Sequence, residues 1–427
     1  MAQCGSRRRD WLLVVWVAGV IFPAMALAQP RDASVTLPGR TEFVPVGPLP
    51  GATVAHGGVA LDDGSVLVVG GYGKLFGRIP LAGTLARIYE PETRQWRVLD
   101  ATLKYGRVGP VVVRAGDQIL VVGGRLQDKR GARLIERFDP LREKFVEVGK
   151  LASGRRRPEV TVLTDGRVLV TGESLEAEIL EPHDNGTWKV RLTKGRTAFL
   201  HRDHVAVLLA DGSVLLVGGC TKRLERFDPA TEEFTACQAR LDTVLDDQAA
   251  MLLYDGRVLL AGGQNVYSNE SVAAYWLYDP AADRLERHHM DWAGLGISDL
   301  AAVDVWAADP ARRGRWILLC GGEYDPGRGE QQDMVLDAAW VYDAAAGRMV
   351  VVGPMTREHD EFVAIPISHS GTQARVVIVG GYGRGDSFEA GCEEFVWWWD
   401  TRPGPGGAGL APMSRSFWPT RARVLSK

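Results

Sequence analysis

The apolar residues of this chain fall into short runs that end on glycine: SVLVVGG, QILVVGG, RVLVTGE, SVLLVGG, RVLLAGG, WILLCGG and VVIVGG. Runs this short, rich in Val and Leu and bounded by glycine, predict buried strands and not helices. The unit is complete between residues 204 and 234, HVAVLLADGSVLLVGGCTKRLERFDPATEEF. HVAVLL is one strand, Asp211-Gly212 a tight turn and SVLLVGG the second strand. RLERF alternates and reads as a third strand. DPATEEF is a polar turn that delivers Phe234 into a fourth.

The same pattern recurs along the chain. Its glycine landmark stands at Gly70, Gly123, Gly172, Gly218, Gly262, Gly321 and Gly380, spaced 44 to 59 residues apart, with Glu173 in place of the second glycine of the third copy. Periods of this length belong to propeller blades. The third strand leaves as RIYEPETRQW, ERFDPLREKF, EILEPHDNGTW, ERFDPATEEF, WLYDPAADRL or WVYDAAAGRM. Here an acidic residue, usually with Pro, starts a turn, and an aromatic or large apolar residue returns the chain to a buried position between sheets. A four-stranded antiparallel unit with two apolar faces cannot bury both alone, so the units stack. The predicted fold is all-β, a seven-bladed β-propeller of four-stranded antiparallel blades, with six blades as the alternative if the third repeat forms none. The last repeat shows no clear fourth strand after residues 393–399, whereas residues 41–50 resemble one without partners. The N-terminal strand is therefore expected to complete the last blade and close the ring, removing exposed sheet edges. Pro45 suits an outer edge strand.

The glycine doublet after an apolar strand, the Tyr/Phe-Asp-Pro exit and the spaced aromatic resemble the kelch-repeat β-propeller family of the galactose oxidase-like superfamily, in its bacterial exported form. The resemblance covers residues 41–400 and implies the fold strongly; kelch propellers serve both binding and catalysis. Related propellers carry a copper-radical site built on a Tyr–Cys crosslink with Tyr and His ligands, and periplasmic relatives include a sialic-acid mutarotase. Neither residue set can be matched in this chain, so none is carried over.

Residues 1–28 read as a signal peptide: Arg7, Arg8 and Arg9, an apolar stretch over 11–22, and the small-x-small site Ala26-Leu27-Ala28. Residues 29–40 are a linker, 41–400 the propeller and 401–427 a Pro/Gly-rich tail. The predicted location is periplasmic or extracellular, with no membrane anchor after cleavage and export by the general secretory or the twin-arginine route. Lys and Arg total 50 against 53 Asp and Glu, a net charge of −3, which gives no electrostatic footprint for nucleic acid. Cys220 and Cys237 lie in one repeat and are candidates for a disulfide, while Cys320 reads as a buried thiol.

The meander sorts its connections by face. The Asp-Gly and Asp-Pro turns share one side and are uniform. The loops between second and third strands and the segments leading into each repeat share the other side, where binding residues concentrate. Candidate ligand-binding residues there are Tyr72, Lys74, Arg78, Arg107, His204, Tyr324, Arg328, Arg357, His359, Tyr382 and Arg384. His56 and His204 stand fourteen residues before Gly70 and Gly218, and Gly109, Pro158 and Gln248 share that offset; His359 lies near the same point of the seventh repeat. No spacing resembles a metal signature, so no metal or cofactor is expected. Composition and motifs favour a monomeric recognition scaffold for a protein or glycan, without covalent chemistry. The alternative is a periplasmic carbohydrate-active enzyme, of epimerase, mutarotase or oxidase type, with its pocket at the channel mouth. Convergent Arg and carboxylate groups, one with a perturbed pKa, would favour the enzyme.

Overall fold

The computed structural model describes residues 37–51, 53–73, 81–327, 333–383, 387–388 and 390–399. The expected signal peptide and the tail lie outside them. The described residues form strands and no helix. Seven sheets have four antiparallel strands each. Sheet 1 is Gly57–Ala60, Val66–Val69, Leu85–Glu90 and Gln95–Thr102. Sheet 2 is Val111–Ala115, Gln118–Val122, Ala132–Asp139 and Lys144–Arg155. Sheet 3 is Glu159–Val162, Val168–Thr171, Glu178–Pro182 and Trp188–Leu192, as full as the others. Sheet 4 is Val205–Leu208, Val214–Val217, Arg223–Asp228 and Glu233–Arg240. Sheet 5 is Ala249–Leu252, Val258–Ala261, Ala274–Asp279 and Arg284–His289. Sheet 6 is Ala301–Asp304, Trp316–Cys320, Ala339–Asp343 and Arg348–Val351. Sheet 7 is Val363–Ser370, Gln373–Val379 and Cys392–Trp398, with Arg40–Val46 as its outer strand.

The N-terminal strand occupies the fourth-strand position by side chain as well as by register. Phe43 pairs with Phe395, ring centroids 5.2 Å apart, as Phe145 pairs with Phe138 at 5.0 Å and Phe234 with Phe227 at 4.9 Å. The core lies between sheets. Leu67, Val69 and Ile88 of sheet 1 meet Ile119, Val121 and Phe138 of sheet 2, and Val66, Val68 and Tyr89 meet Ile365, Val377 and Val379 of sheet 7. Each such aliphatic side chain contributes about 1.5–3 kcal/mol by burial. The first strand of each sheet lies against the first strand of the next, and that of sheet 7 lies against that of sheet 1.

One face carries repeated turns. Gly64, Gly166, Gly212 and Gly256 all have φ of 85–87°. In each turn the preceding Asp accepts the N–H two residues on: Ser65 to Asp63 (2.9 Å), Arg167 to Asp165 (3.0 Å), Ser213 to Asp211 and Arg257 to Asp255 (3.1 Å). The glycine doublets lie on the other side, where the backbone passes close to the neighbouring sheet. A Cβ on Gly123 (φ 62°) would sit 2.5 Å from the Pro158 ring. Glu173, the replacement for a second glycine, keeps the left-handed backbone at φ 60°. Cys237, Cys320 and Cys392 are buried free thiols, so Cys220 and Cys237 do not pair.

Candidate functional site

A single hydrogen-bonding pattern recurs where the chain leads into a sheet. Arg107, Arg155, His201 and His359 reach the carbonyl of the first landmark glycine of their own sheet: Gly123, Gly172, Gly218 and Gly380. Each also meets a carboxylate on the third strand: Glu136, Glu178, Glu225 or Glu393. Gly218 O and Gly380 O can only accept, so His201 and His359 carry a proton on Nδ1. The same four carboxylates accept from the backbone N–H three residues before the cation, at Lys104 (3.0 Å), Ala152 (2.6 Å), Ala198 (2.9 Å) and Thr356 (2.9 Å). All eight charged or ionisable side chains are buried. Arg107 and His359, candidates from the sequence, are thus engaged within the fold. The third-strand glutamates were missed. For Glu136, Glu225 and Glu393 the signal is the Glu two residues before the aromatic in ERF and EEF; Glu178 stands in EIL.

Three residues beyond the position the cation holds, occupied by Thr53 in sheet 1 and Leu245 in sheet 5, a second set packs on the first landmark glycine of the preceding sheet: His56 on Gly380, Pro158 on Gly123, His204 on Gly172 and Gln248 on Gly218. His204 Nε2 shares a 2.9 Å hydrogen bond with Thr171 Oγ1, and Gln248 donates to Val217 O at 2.8 Å. Burial, then the nearby His201 and Arg155, hold His204 well below the usual histidine range. Burial and then Arg87 lower His56 to about 3. Two positions differ from the sequence reading. Pro110, not Gly109, packs on Gly70, because the hairpin turn of sheet 2 is shorter. In sheet 7, Phe362 packs on Gly321, and His359 holds the carboxylate-binding position instead.

Between these two sets lies a third, whose members share a backbone conformation but no residue type. Ala55, Gly109, Asp203, Asp247, Asp299 and Glu361 are left-handed, with φ from 48° to 62°. Gly109 N–H donates to Ala55 O and Ala55 N–H to Glu361 O; Asp299 N–H donates to Asp247 O and Asp247 N–H to Asp203 O. Arg157, the corresponding residue of sheet 3, bridges the two runs. It contacts Asp203 Oδ1 at 3.1 Å and Glu361 Oε1 at 3.9 Å. Two residues on, Glu159 opens the first strand of sheet 3 and meets the Ala206 backbone of sheet 4; burial raises its carboxyl to about 8. The set therefore brings Arg157 to two carboxylates, and the carboxyl two residues further along the chain is largely protonated at neutral pH.

Of the remaining candidates, Tyr72 and Tyr382 meet across Phe388, with ring centroids 6.1 and 5.4 Å away, and the Arg125 guanidinium lies 5.8 Å from the Tyr72 ring. Tyr382 exchanges backbone hydrogen bonds with Asp360 at 2.7 and 3.0 Å. Tyr324 packs on the core between sheets 5 and 6. Arg357 lies over Gly391. Lys74, Arg78, Arg328 and Arg384 lie outside the described residues.

The described residues do not fit a copper-radical centre. Among them no three His, Cys, Asp or Glu side chains form a metal-holding group. Tyr278 meets Cys237 through its hydroxyl, at 3.6 Å from sulfur, beside Asp283 on the turn face. That contact is on the wrong side for the lead-in set. Also among the described residues, no helix is long and apolar enough to cross a membrane.

No family model and no curated protein matches the chain. Among solved structures it is similar to a fungal alcohol oxidase of the AA5 family in complex with copper. The TM-score is 0.60 at 17% identity, covering 84% of this chain and 77% of that one. At this identity the likeness shows the fold. It also corrects the leading functional expectation. The expected recognition scaffold without covalent chemistry is set aside, because the protein of similar fold is an alcohol oxidase.

Proposed function

We propose that the seven sheets are the blades of a kelch-type propeller, closed by the strand Arg40–Val46, and that the protein is an exported carbohydrate-active enzyme with its reaction centre at the channel mouth. The succession of first-strand contacts, returning from sheet 7 to sheet 1, supports the ring. The observation that carries the enzyme reading is the meeting of Arg157 with Asp203 and Glu361, two residues before the raised carboxyl of Glu159 in the chain. Two carboxyl groups whose environments set different protonation states supply an acid and a base at one pH. Acting on a reducing sugar, Glu159 would give its proton to the ring oxygen. A carboxylate at the mouth would take the proton of the anomeric hydroxyl. The ring C–O bond then opens to the aldehyde, and reversal on the other face exchanges the anomers. Arg157 would orient a hydroxyl or carboxylate of the substrate. The oxidase type is the second reading, supported by the similar alcohol oxidase; the described residues do not fit copper.

The test is a panel of reducing sugars followed by NMR for anomer exchange and by oxygen uptake with and without added copper. Anomer exchange that falls about a hundredfold in Glu159→Gln, with the fold intact by circular dichroism, is the expected result. Oxygen uptake would select the oxidase type. Absence of both, with sugars at millimolar concentration, removes the enzyme.

A further inference from the structure

We infer a second, separate site: a basic groove beside sheet 2 that binds an oligosaccharide bearing carboxylate or sulfate groups. The cavity measures 640 Å³ and lies on the same face as the lead-in segments. Six cations line it: Lys104, Lys129, Arg130, Arg133, Lys150 and Arg156. Glu147 is the one carboxylate among the lining residues, and Lys104 and Lys150 share it at 3.1 Å each. Counting Asp128, which pairs with Arg130, and Glu173, which pairs with Arg156, six cations face three carboxylates. This excess stands on a chain whose net charge is −3, so it is a local construction.

The fold builds the groove deliberately into its backbone. The outer strand Lys144–Arg155 has 12 residues and supplies Glu147 and Lys150 as a wall. Its pairing with the third strand is irregular between Ala132 and Leu134, which sets Arg133 apart, its Nε donating to Leu151 O at 2.8 Å. Gly131 and Gly154 form the floor, so close that a Cβ on Gly154 would lie 2.1 Å from Gly131 O. Tyr105, 53% exposed, offers an aromatic face beside Lys104. Three of the cations are guanidinium groups, whose planar donors match carboxylate and sulfate. A cavity of this size takes a molecule larger than a single ion. A nucleic-acid track would present successive aromatic platforms, and the lining holds one tyrosine. The choice of a sugar over an acidic peptide rests on the carbohydrate reading proposed above.

The experiment is calorimetric titration of the full chain at low and moderate salt. The probes are an oligogalacturonate, a sulfated oligosaccharide, a neutral oligogalactoside, an oligoglutamate and a single-stranded oligonucleotide. At least one acidic sugar should bind about tenfold or more tightly than the neutral one, and weaken with salt. The triple variant Arg130→Gln, Arg133→Gln, Lys150→Gln, all at exposed positions, should lose about tenfold in affinity with an unchanged melting temperature. Tyr105→Ala should weaken binding while leaving the salt dependence intact. Equal binding of the neutral sugar, or affinity unmoved by the triple variant, overturns the groove. Tighter binding of the peptide or the oligonucleotide overturns the sugar assignment. Acidic sugar bound here with no turnover of any sugar leaves this site standing and removes the enzyme; turnover without such binding does the reverse.

Discussion

Sheets 3 and 5 solve one packing problem with opposite chemistry. In sheet 3, Arg155 leads in and meets Glu178 on the third strand. In sheet 5 the corresponding residues are Leu245 and Trp276, both buried in one apolar cluster. The correspondence is fixed by backbone: the residue after the first landmark glycine donates to the lead-in carbonyl, Glu173 to His201, Gly219 to Leu245 and Gly263 to Ile297. Sheet 6 follows sheet 5, with Ile297 and Trp340, and Trp292 packs edge-on against Trp340 at 5.2 Å. Sheet 1 inverts the charge. Arg87 stands where the glutamate would be and donates to Pro50 O and Gly51 O. The repeated fold therefore demands a filled space, not an ion pair. The two fillings differ in what happens when half is removed: a buried ion deprived of its partner is costly, whereas swapping the whole pair for well-packed apolar groups is often neutral.

The largest expected effect follows directly. Glu178→Ala leaves Arg155 buried against carbonyls alone and should cost about 3–5 kcal/mol in urea unfolding. A cost below about 1 kcal/mol would end the comparison. Trp340→Leu should cost less, about 2 kcal/mol, through lost contacts alone. Adding Arg155→Leu and making position 178 Trp copies sheet 5 and should recover more than half of the Glu178→Ala loss; no recovery would mean the two fillings are not interchangeable. Acidity separates sheets 1 and 3 in turn. The Glu159 carboxyl is raised from 4.5 to about 8, so the folded state binds the extra proton. Its contribution is fully present below pH 4.5 and lost as pH rises through 8. His56, lowered from 6.5 to about 3, acts oppositely: stability is lost as pH falls from 6.5 toward 3. Unfolding measured across pH should show the alkaline decline flattened by Glu159→Gln and the acid decline flattened by His56→Gln. The smallest effect is on the turn face, where Asp211→Ala should cost about 1 kcal/mol through its lost hydrogen bonds to Ser213.

The strands and turns were legible because they depend on neighbours in sequence. SVLLVGG announces a buried strand, and Asp211-Gly212 a turn, without reference to anything distant. The third-strand glutamates were visible in the repeated ERF, yet their meaning depends on a cation 23 to 34 residues earlier that alternates between Arg and His. The left-handed set was less legible still. Ala55, Gly109, Asp203, Asp247, Asp299 and Glu361 share a left-handed backbone, which residue type does not report outside glycine. Arg157 gains its significance by touching two sheets at once. The groove of sheet 2 escaped notice because its cations come from a connection, a loop and an outer strand, and because its loop is short beside those of repeats one, six and seven.

Trp397 donates its indole N–H to Pro38 O, 359 residues away in sequence. During synthesis Pro38 leaves the ribosome 359 residues before Trp397. Until then the inner strands of sheet 7 have no outer neighbour, and residues 40–46 are a strand without a sheet. Such a long-range pairing slows folding and extends the time during which an unpaired edge can recruit another chain. The protein's vulnerability is thus one of timing: a polypeptide cut short before Cys392 would lack the strand that joins sheet 7 to residues 40–46 and would present an adhesive border.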